Sequence, residues 1–243
     1  MASKIEWTEE TWNPITGCTK ISSGCKHCYA EVMAKRLQAM GMKGYEKGFK
    51  LTLQPHRILE PLQNKKPTMY FVNSMSDVFH KNVPFEYIDK VFDTITKASW
   101  HKFQILTKRA DIMNEYFKTR KVPDNVWLGV TVENKNEGIP RIAYLRDISG
   151  VSVKFLSVEP LLEDLGNVDF SGIDWVIVGG ESGQQARPMK KNWALNIKNL
   201  CKKYDVAFYF KQWGTWGEDM KKRSKKDNGH LLDNEIYREM PNK

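Results

Sequence analysis

The sequence predicts an α/β fold: a partial or near-complete (β/α) TIM-like barrel of parallel strands, preceded by an N-terminal loop that carries a cysteine cluster. Three observations predict it. Short apolar, β-rich runs alternate with amphipathic stretches of helical period along the 243 residues, and such alternation implies parallel pairing. The runs are apolar almost throughout, as strands buried on both faces are. Each run is followed at once by polar residues, and in a barrel all such strand ends meet at one mouth, where active sites are built.

The elements follow in order. A first strand is expected ahead of the cysteine loop, and residues 30–40 read as the first helix. Residues 40–66, with Gly41, Gly44, Gly48, Pro55 and Pro61, read as an insertion before the second strand at 69–73. Pro84 opens a helix over 85–99, with Ile88, Val91, Phe92 and Ile95 at helical spacing. Strands at 103–106, 126–132, 153–158, 175–178 and 206–210 continue the pattern, with helices at 110–118, 139–148 and 192–204. Residues 1–216 read as one βα-barrel domain and 217–243 as a basic C-terminal appendage.

Composition narrows the class. Hydrophobic residues make up 41% and charged residues 28%, the mix of a globular chain rather than a disordered one. The longest apolar runs are far too short to span a bilayer. Residues 1–10 carry three glutamates and no apolar core of a secretory signal, so a cytoplasmic location is expected. The net charge of +9 favours an anionic partner such as nucleic acid or a phosphorylated small molecule. It equally describes a solvated basic surface.

Three of the four cysteines, Cys18, Cys25 and Cys28, fall within eleven residues, whereas Cys201 sits in a helical pattern as a packed thiol. Cys25 and Cys28 have C-x2-C spacing, which lets a tight turn aim two thiolates at one metal centre. Gly17 and Gly24 allow the backbone to bend towards it. The helix that follows offers amide donors and a dipole that favour thiolates. Three readings are open: small buried residues, a structural zinc site, and an iron–sulfur cluster. Zinc would want a fourth ligand, and His27 lies awkwardly between two of the three thiols. Three thiolates on a four-iron cluster leave one iron open to a ligand.

A three-cysteine loop after the first strand of a βα barrel resembles the radical S-adenosylmethionine superfamily. The usual spacing there is C-x3-C-x2-C, and this sequence has C-x6-C-x2-C, the longer first gap of some variants. More narrowly, W-N-P-I-T-G-C-T-K (12–20), G-C-K-H-C-Y-A (24–30), S-M-S-D-V-F-H (74–80), L-T-K-R (106–109), L-S-V-E-P-L-L (156–162), V-G-G-E-S-G (178–183) and F-K-Q-W-G (210–214) are similar to an uncharacterised three-cysteine-motif family of phage and mobile-element proteins, DUF5131. The resemblance implies a [4Fe–4S] cluster on Cys18, Cys25 and Cys28. It implies S-adenosylmethionine on the open iron, an electron donor, and a 5′-deoxyadenosyl radical that abstracts a hydrogen atom. The location it implies is the cytoplasm of a bacterial host or phage-infected cell.

The superfamily binds the methionyl amine at the end of the second strand, so Asn73, Ser74, Ser76 and Asp77 are expected there. Thr131 and Glu133 stand where ribose hydroxyls are often met. Gly179, Gly180 and Glu181 form a Gly-Gly-Glu stretch that either contacts cofactor or makes a tight turn. Lys108, Glu159 and Lys211 are the catalytic candidates, although Glu159 with Lys108 reads equally well as a barrel ion pair. Lys108, Arg109 and Lys211 make the mouth cationic. Trp213 and Trp216 read as stacking platforms or as a lid. His56, His80, His101 and His230 lack metal spacing and read as structural. The substrate is unidentified, with a nucleotide or nucleic acid as one class. The rival function is a nucleic-acid-binding protein with a structural zinc or iron–sulfur site and no membrane association.

Overall fold

The computed structural model describes residues 5–241. In chain order its strands are β1 (Glu10–Trp12), β2 (Ile15–Thr16), β3 (Thr52–Leu53), β4 (Met69–Val72), β5 (Lys102–Thr107), β6 (Val126–Thr131), β7 (Val153–Val158), β8 (Trp175–Gly179) and β9 (Ala207–Gln212). Its α-helices are α1 (Tyr29–Ala39), α2 (Glu60–Gln63), α3 (Phe85–Lys97), α4 (Ala110–Phe117), α5 (Pro140–Asp147), α6 (Lys191–Tyr204) and α7 (Lys225–Asn228). Seven strands form one sheet in the order β1-β4-β5-β6-β7-β8-β9. That order is sequential, with no switch point of the kind a doubly wound sheet has. It is the strand order of a partial βα barrel, as the sequence predicts.

The chain divides into two compact units. The first takes the chain up to Ile21, Cys28–Gly129 and Asp147–Ser152. In it β1, β4 and β5 pair in parallel, with Trp12 opposite Val72 and Val72 opposite Ile105. Pro84 precedes α3 with φ already near the helical value, and α3 buries Ile88, Val91 and Ile95 completely. The helix α1 buries Ala30 and Ala34 with Tyr45 and Met75, and Cys28, Leu37 and Phe49 pack against them. Residues 40–66 hold β3, too short to show in the sequence pattern, which pairs antiparallel with β2.

The second unit takes Ser22–His27, Val130–Arg146 and the chain from Val153 on. In it β7, β8 and β9 pair in parallel. Trp175, Val176, Ile177 and Val178 of β8 are all fully buried, each worth about 1.5–3 kcal/mol on removal from water. On α6, Ala194, Ile197, Leu200 and Cys201 are buried, and Asp205 ends the helix in the left-handed region. Burial pushes the Cys201 thiol up, consistent with a packed thiol. The segment after Gly217 is tied to β9: the Phe210 N–H donates to the Tyr237 carbonyl, and the Phe208 N–H to the Glu239 carboxylate. No helix among the described residues is long and apolar enough to cross a membrane.

One buried side chain secures the first unit. The amide Nδ2 of Asn125 donates to the carbonyls of Ile95, Ala98 and His101 at 3.0–3.3 Å. It thereby ties the end of α3 to the start of β5. Replacing it leaves buried carbonyls unpaired, at about 1–3 kcal/mol for such a group. Asn125→Ala is expected to lower the unfolding free energy by about 2 kcal/mol in urea titrations. Unchanged stability would show that these bonds carry nothing.

Candidate cofactor site

In the first unit the cysteine loop begins at a turn that only glycine can make. Gly17 has φ +78°, and a Cβ there would lie 2.2 Å from the Lys50 carbonyl oxygen. The backbone on either side is fixed, with the Gly17 N–H donating to Met75 O and the Cys18 N–H to Phe49 O. Cys28 lies at the other end of the loop, as the residue capping the N-terminus of α1 in extended conformation. Both thiols are half-buried and free.

Cys18 meets a buried ion pair. Arg109 and Asp77 are joined at 3.1 Å with both side chains buried. Arg109 Nη1 also reaches Cys18 Sγ at 3.5 Å. Its Nη2 donates to the Thr19 carbonyl and hydroxyl at 2.9 and 3.0 Å. Asp77 in turn accepts from the Thr107 hydroxyl at 2.7 Å and the Lys108 N–H at 3.2 Å. Burial pushes the Cys18 thiol up, Asp77 adds to that, and Arg109 opposes it. Burial opposes the charge on Arg109, and Asp77 with the Cys18 sulfur more than restores it. His80, read from sequence as structural, has Nε2 2.9 Å from the Thr19 hydroxyl. Burial, then the Arg109 charge, holds this imidazole below its ordinary value.

The other expected cofactor residues of this unit are engaged by the chain. Ser74 donates to Asn13 Oδ1 at 3.2 Å, and Ser76 to the Ile15 carbonyl at 2.9 Å. Asn73 has φ +60° and accepts from the Ile15 N–H at 3.4 Å. Its Nδ2 is buried without a hydrogen-bond partner among the described residues.

In the second unit, Ser23–Cys25 form a single 3-10 turn, held by the residues that follow β6. Glu137 accepts from the Ser23 N–H at 3.0 Å and its hydroxyl at 2.7 Å. Asn134 Nδ2 bridges Ser23 Oγ and Glu137 at 2.7 and 2.6 Å. Glu133 accepts from the Ser22 hydroxyl and is paired with Arg141 at 2.5 Å while fully buried. Arg141 also donates to the Thr131 carbonyl at 2.7 Å. So Thr131 and Glu133, expected near a ribose, belong to the anchor of the Cys25 turn. Glu137 and Arg141 escape sequence reading. The one signal is the N-x-x-E spacing at 134 and 137, which lets a carboxylate fold back on its own turn.

The remaining candidates cluster at the ends of β7, β8 and β9. Glu159 pairs with Lys211 at 3.1 Å rather than with Lys108. Both share a strand-end position in this unit, and Ser157 donates to Glu159 at 3.4 Å. Glu181 is bound by Arg187 through its side chain at 2.6 Å and its N–H at 2.8 Å. Burial alone would push the Glu181 carboxyl up, but Arg187 holds it below its usual value. A Cβ on Gly180 would stand 1.9 Å from the Trp213 carbonyl oxygen, and one on Gly179 would stand 2.4 Å from Glu159 Oε1. The glycines therefore admit the chain's own atoms, as a tight turn requires. Trp213 is buried, with Nε1 donating to the Leu231 carbonyl, and Trp216 Nε1 donates to Ala186.

Among the described residues no group of three or more His, Cys, Asp or Glu side chains stands where it could hold a metal ion. The donor set itself suits an iron–sulfur cluster. All three thiols are partly exposed and uncrosslinked, Cys28 sits at a helix N-terminus, and a guanidinium donates to the Cys18 sulfur. Cluster ligation by cysteine thiolates, tuned by hydrogen bonds to sulfur, calls for this set of groups.

The Ser23 anchor has a pH signature. The Ser23 hydroxyl and N–H hold the Glu137 carboxyl below its ordinary value. A carboxylate with a lowered native pKa stabilises fully above its unfolded value of about 4.3, and the effect is lost as pH falls through the native value. Glu137→Ala is expected to cut the hydrogen-exchange protection of the Ser23 amide at least about tenfold at neutral pH. The wild-type protection factor should fall towards that of the variant below about pH 4. Equal protection in the two proteins at neutral pH would remove Glu137 from the anchor.

Solved structures of spore photoproduct lyase are similar to this chain at low identity. A cysteine-to-serine variant shares 13% identity with a TM-score of 0.49. A complex with dinucleoside spore photoproduct shares 14% with a TM-score of 0.45. A double variant with bound AdoMet and dinucleoside spore photoproduct shares 15% with a TM-score of 0.42. Each comparison covers 85% of this chain and 64% of the other, so the chain spans less than two thirds of that protein's length. No curated protein matches it. The model of DUF5131, described as a protein of unknown function, matches residues 2–241; over nearly its whole length, this chain belongs to the DUF5131 family.

Proposed function

We propose that this protein is a radical S-adenosylmethionine enzyme of phage or mobile-element origin, acting in the cytoplasm on an unidentified substrate. The observation that carries the reading is the loop of three free, half-buried thiols with a guanidinium on the first sulfur. Cys18, Cys25 and Cys28 would hold a [4Fe–4S] cluster and leave its fourth iron open. When bound, and fed an electron by a donor, that cluster supplies the reductive cleavage of S-adenosylmethionine to methionine and a 5′-deoxyadenosyl radical.

The chain's own residues then divide into holders and contacts. Asp77, Thr131 and Glu133 fix the loop through Arg109 and Arg141. Asn73, Ser74 and Ser76 line the end of β4, and the Asn73 Nδ2 is the donor still lacking a partner there. It is the group we assign to the cofactor's methionyl end. Gly179, Gly180 and Glu181 shape the end of β8 through their contacts with Glu159, Trp213 and Arg187. Glu159 and Lys211 pair across 3.1 Å at the strand ends, and we assign them to the substrate side of the site. Lys108, whose N–H is held by Asp77, is the residue we assign to an anionic substrate. The net charge of +9 favours a nucleotide or nucleic acid as the first substrate class to test.

The test is anaerobic. The protein is reconstituted with iron and sulfide, reduced with dithionite and given S-adenosylmethionine. Formation of 5′-deoxyadenosine is expected, with at least about a hundredfold loss in Cys18→Ala, Cys25→Ala and Cys28→Ala, the scale of losing a cofactor-ligating group. No nucleoside product, together with one tightly held zinc per chain, would instead make this a binding protein with a structural metal.

A further inference from the structure

In the first unit the cysteine loop meets a buried cation, Arg109. Arg109 is 5% exposed. Its Nη1 lies between two partners, Asp77 Oδ2 at 3.1 Å and Cys18 Sγ at 3.5 Å. Its Nη2 is committed to the Thr19 carbonyl and hydroxyl. The planar fork is thus held at both ends, one on the carboxylate and one on the residue next to the cysteine. A lysine offers a single charged point and cannot make this set of contacts together. Asp77 is itself held by Thr107, Lys108 and the Phe79 N–H, the last at 3.0 Å. The guanidinium is therefore braced from the ends of β4 and β5 as well as by the loop it touches.

We propose that Arg109 is a positioning residue that sets the reduction potential of the cluster through Cys18, with Asp77 as its counterweight. The inference rests on the cluster reading above. One-electron reduction adds negative charge to the cluster and its thiolates, and a fixed cation donating to a ligand sulfur favours the reduced form. Asp77 acts in the opposite sense on the same sulfur, because its carboxylate is a negative charge that also shares the Nη1 proton. The two residues should therefore shift the potential in opposite directions. A pair that merely braces the loop would give two variants with the same defect.

The experiment is a dithionite redox titration of the anaerobically reconstituted protein, followed by electron paramagnetic resonance, with iron counted in every sample. Arg109→Gln should move the reduction equilibrium at least about tenfold towards the oxidised cluster, about 59 mV for a one-electron couple. Arg109→Lys, which keeps the charge, should stay within about threefold of wild type. Asp77→Asn should move it towards the reduced cluster. An Arg109→Gln protein with full iron and the wild-type potential overturns the proposal, even where the wild type cleaves S-adenosylmethionine normally. If Arg109→Gln takes up no iron, the direction of Asp77→Asn decides: a shift to the reduced side supports the proposal, and no shift or the opposite shift overturns it. A wild-type chain that takes up no iron overturns this proposal and the cluster reading together.

Discussion

A loop with almost no apolar side chain must be held by something other than the hydrophobic effect. Between Cys18 and Cys28 the only large aliphatic residue is Ile21, and it is 45% exposed. The loop is held instead by charged groups buried at strand ends. Arg109, paired with Asp77, grips Cys18 and Thr19 from the end of β5. Glu133, Asn134 and Glu137 grip Ser22 and Ser23 from the end of β6. Burying charges is expensive unless each is paired and hydrogen-bonded, as the buried Asp77, Arg109 and Glu133 are. The parallel strands matter because they carry the charges to their ends and stop there.

The same pairing recurs along the sheet. Carboxylates after β4, β6 and β8 are each bound by an arginine: Asp77 by Arg109, Glu133 by Arg141 and Glu181 by Arg187. Glu159 after β7 is bound by a lysine, Lys211. Arginine at the first three positions fits a structural duty, since it keeps its charge when buried and grips with a planar fork. Lysine at the fourth presents a single charged point rather than a fork. Charges that the primary structure suggests would face a ligand are thus each held by a partner from the chain itself.

Much of the fold was legible because its signals are local. The apolar runs that became β4 to β9 are continuous, and the period of residues such as Ile88, Val91 and Ile95 marks α3 without ambiguity. The cysteine loop was legible for a similar reason: three thiols in eleven residues leave few chemical options. The three-residue β1 and the two-residue strands β2 and β3 have no period to detect. Partners were harder still. Glu159 could be seen as one half of an ion pair, but choosing Lys211 over Lys108 requires the register of β7, β8 and β9. Glu133 reads as a ribose contact from sequence, and its pairing as an anchor is hidden there because buried carboxylates in catalytic sites and in anchors share one sequence signature. What the structure adds is Arg141, eight residues on at the start of α5.

The central claim is that Cys18, Cys25 and Cys28 carry a cluster with one iron left open. The most direct measurement is the electron paramagnetic resonance spectrum of the reduced, reconstituted protein, recorded before and after adding S-adenosylmethionine. A four-iron signal whose g-values change on addition is the predicted result, because a ligand then reaches an iron that no residue holds. A four-iron signal that stays unchanged at saturating S-adenosylmethionine would contradict the claim.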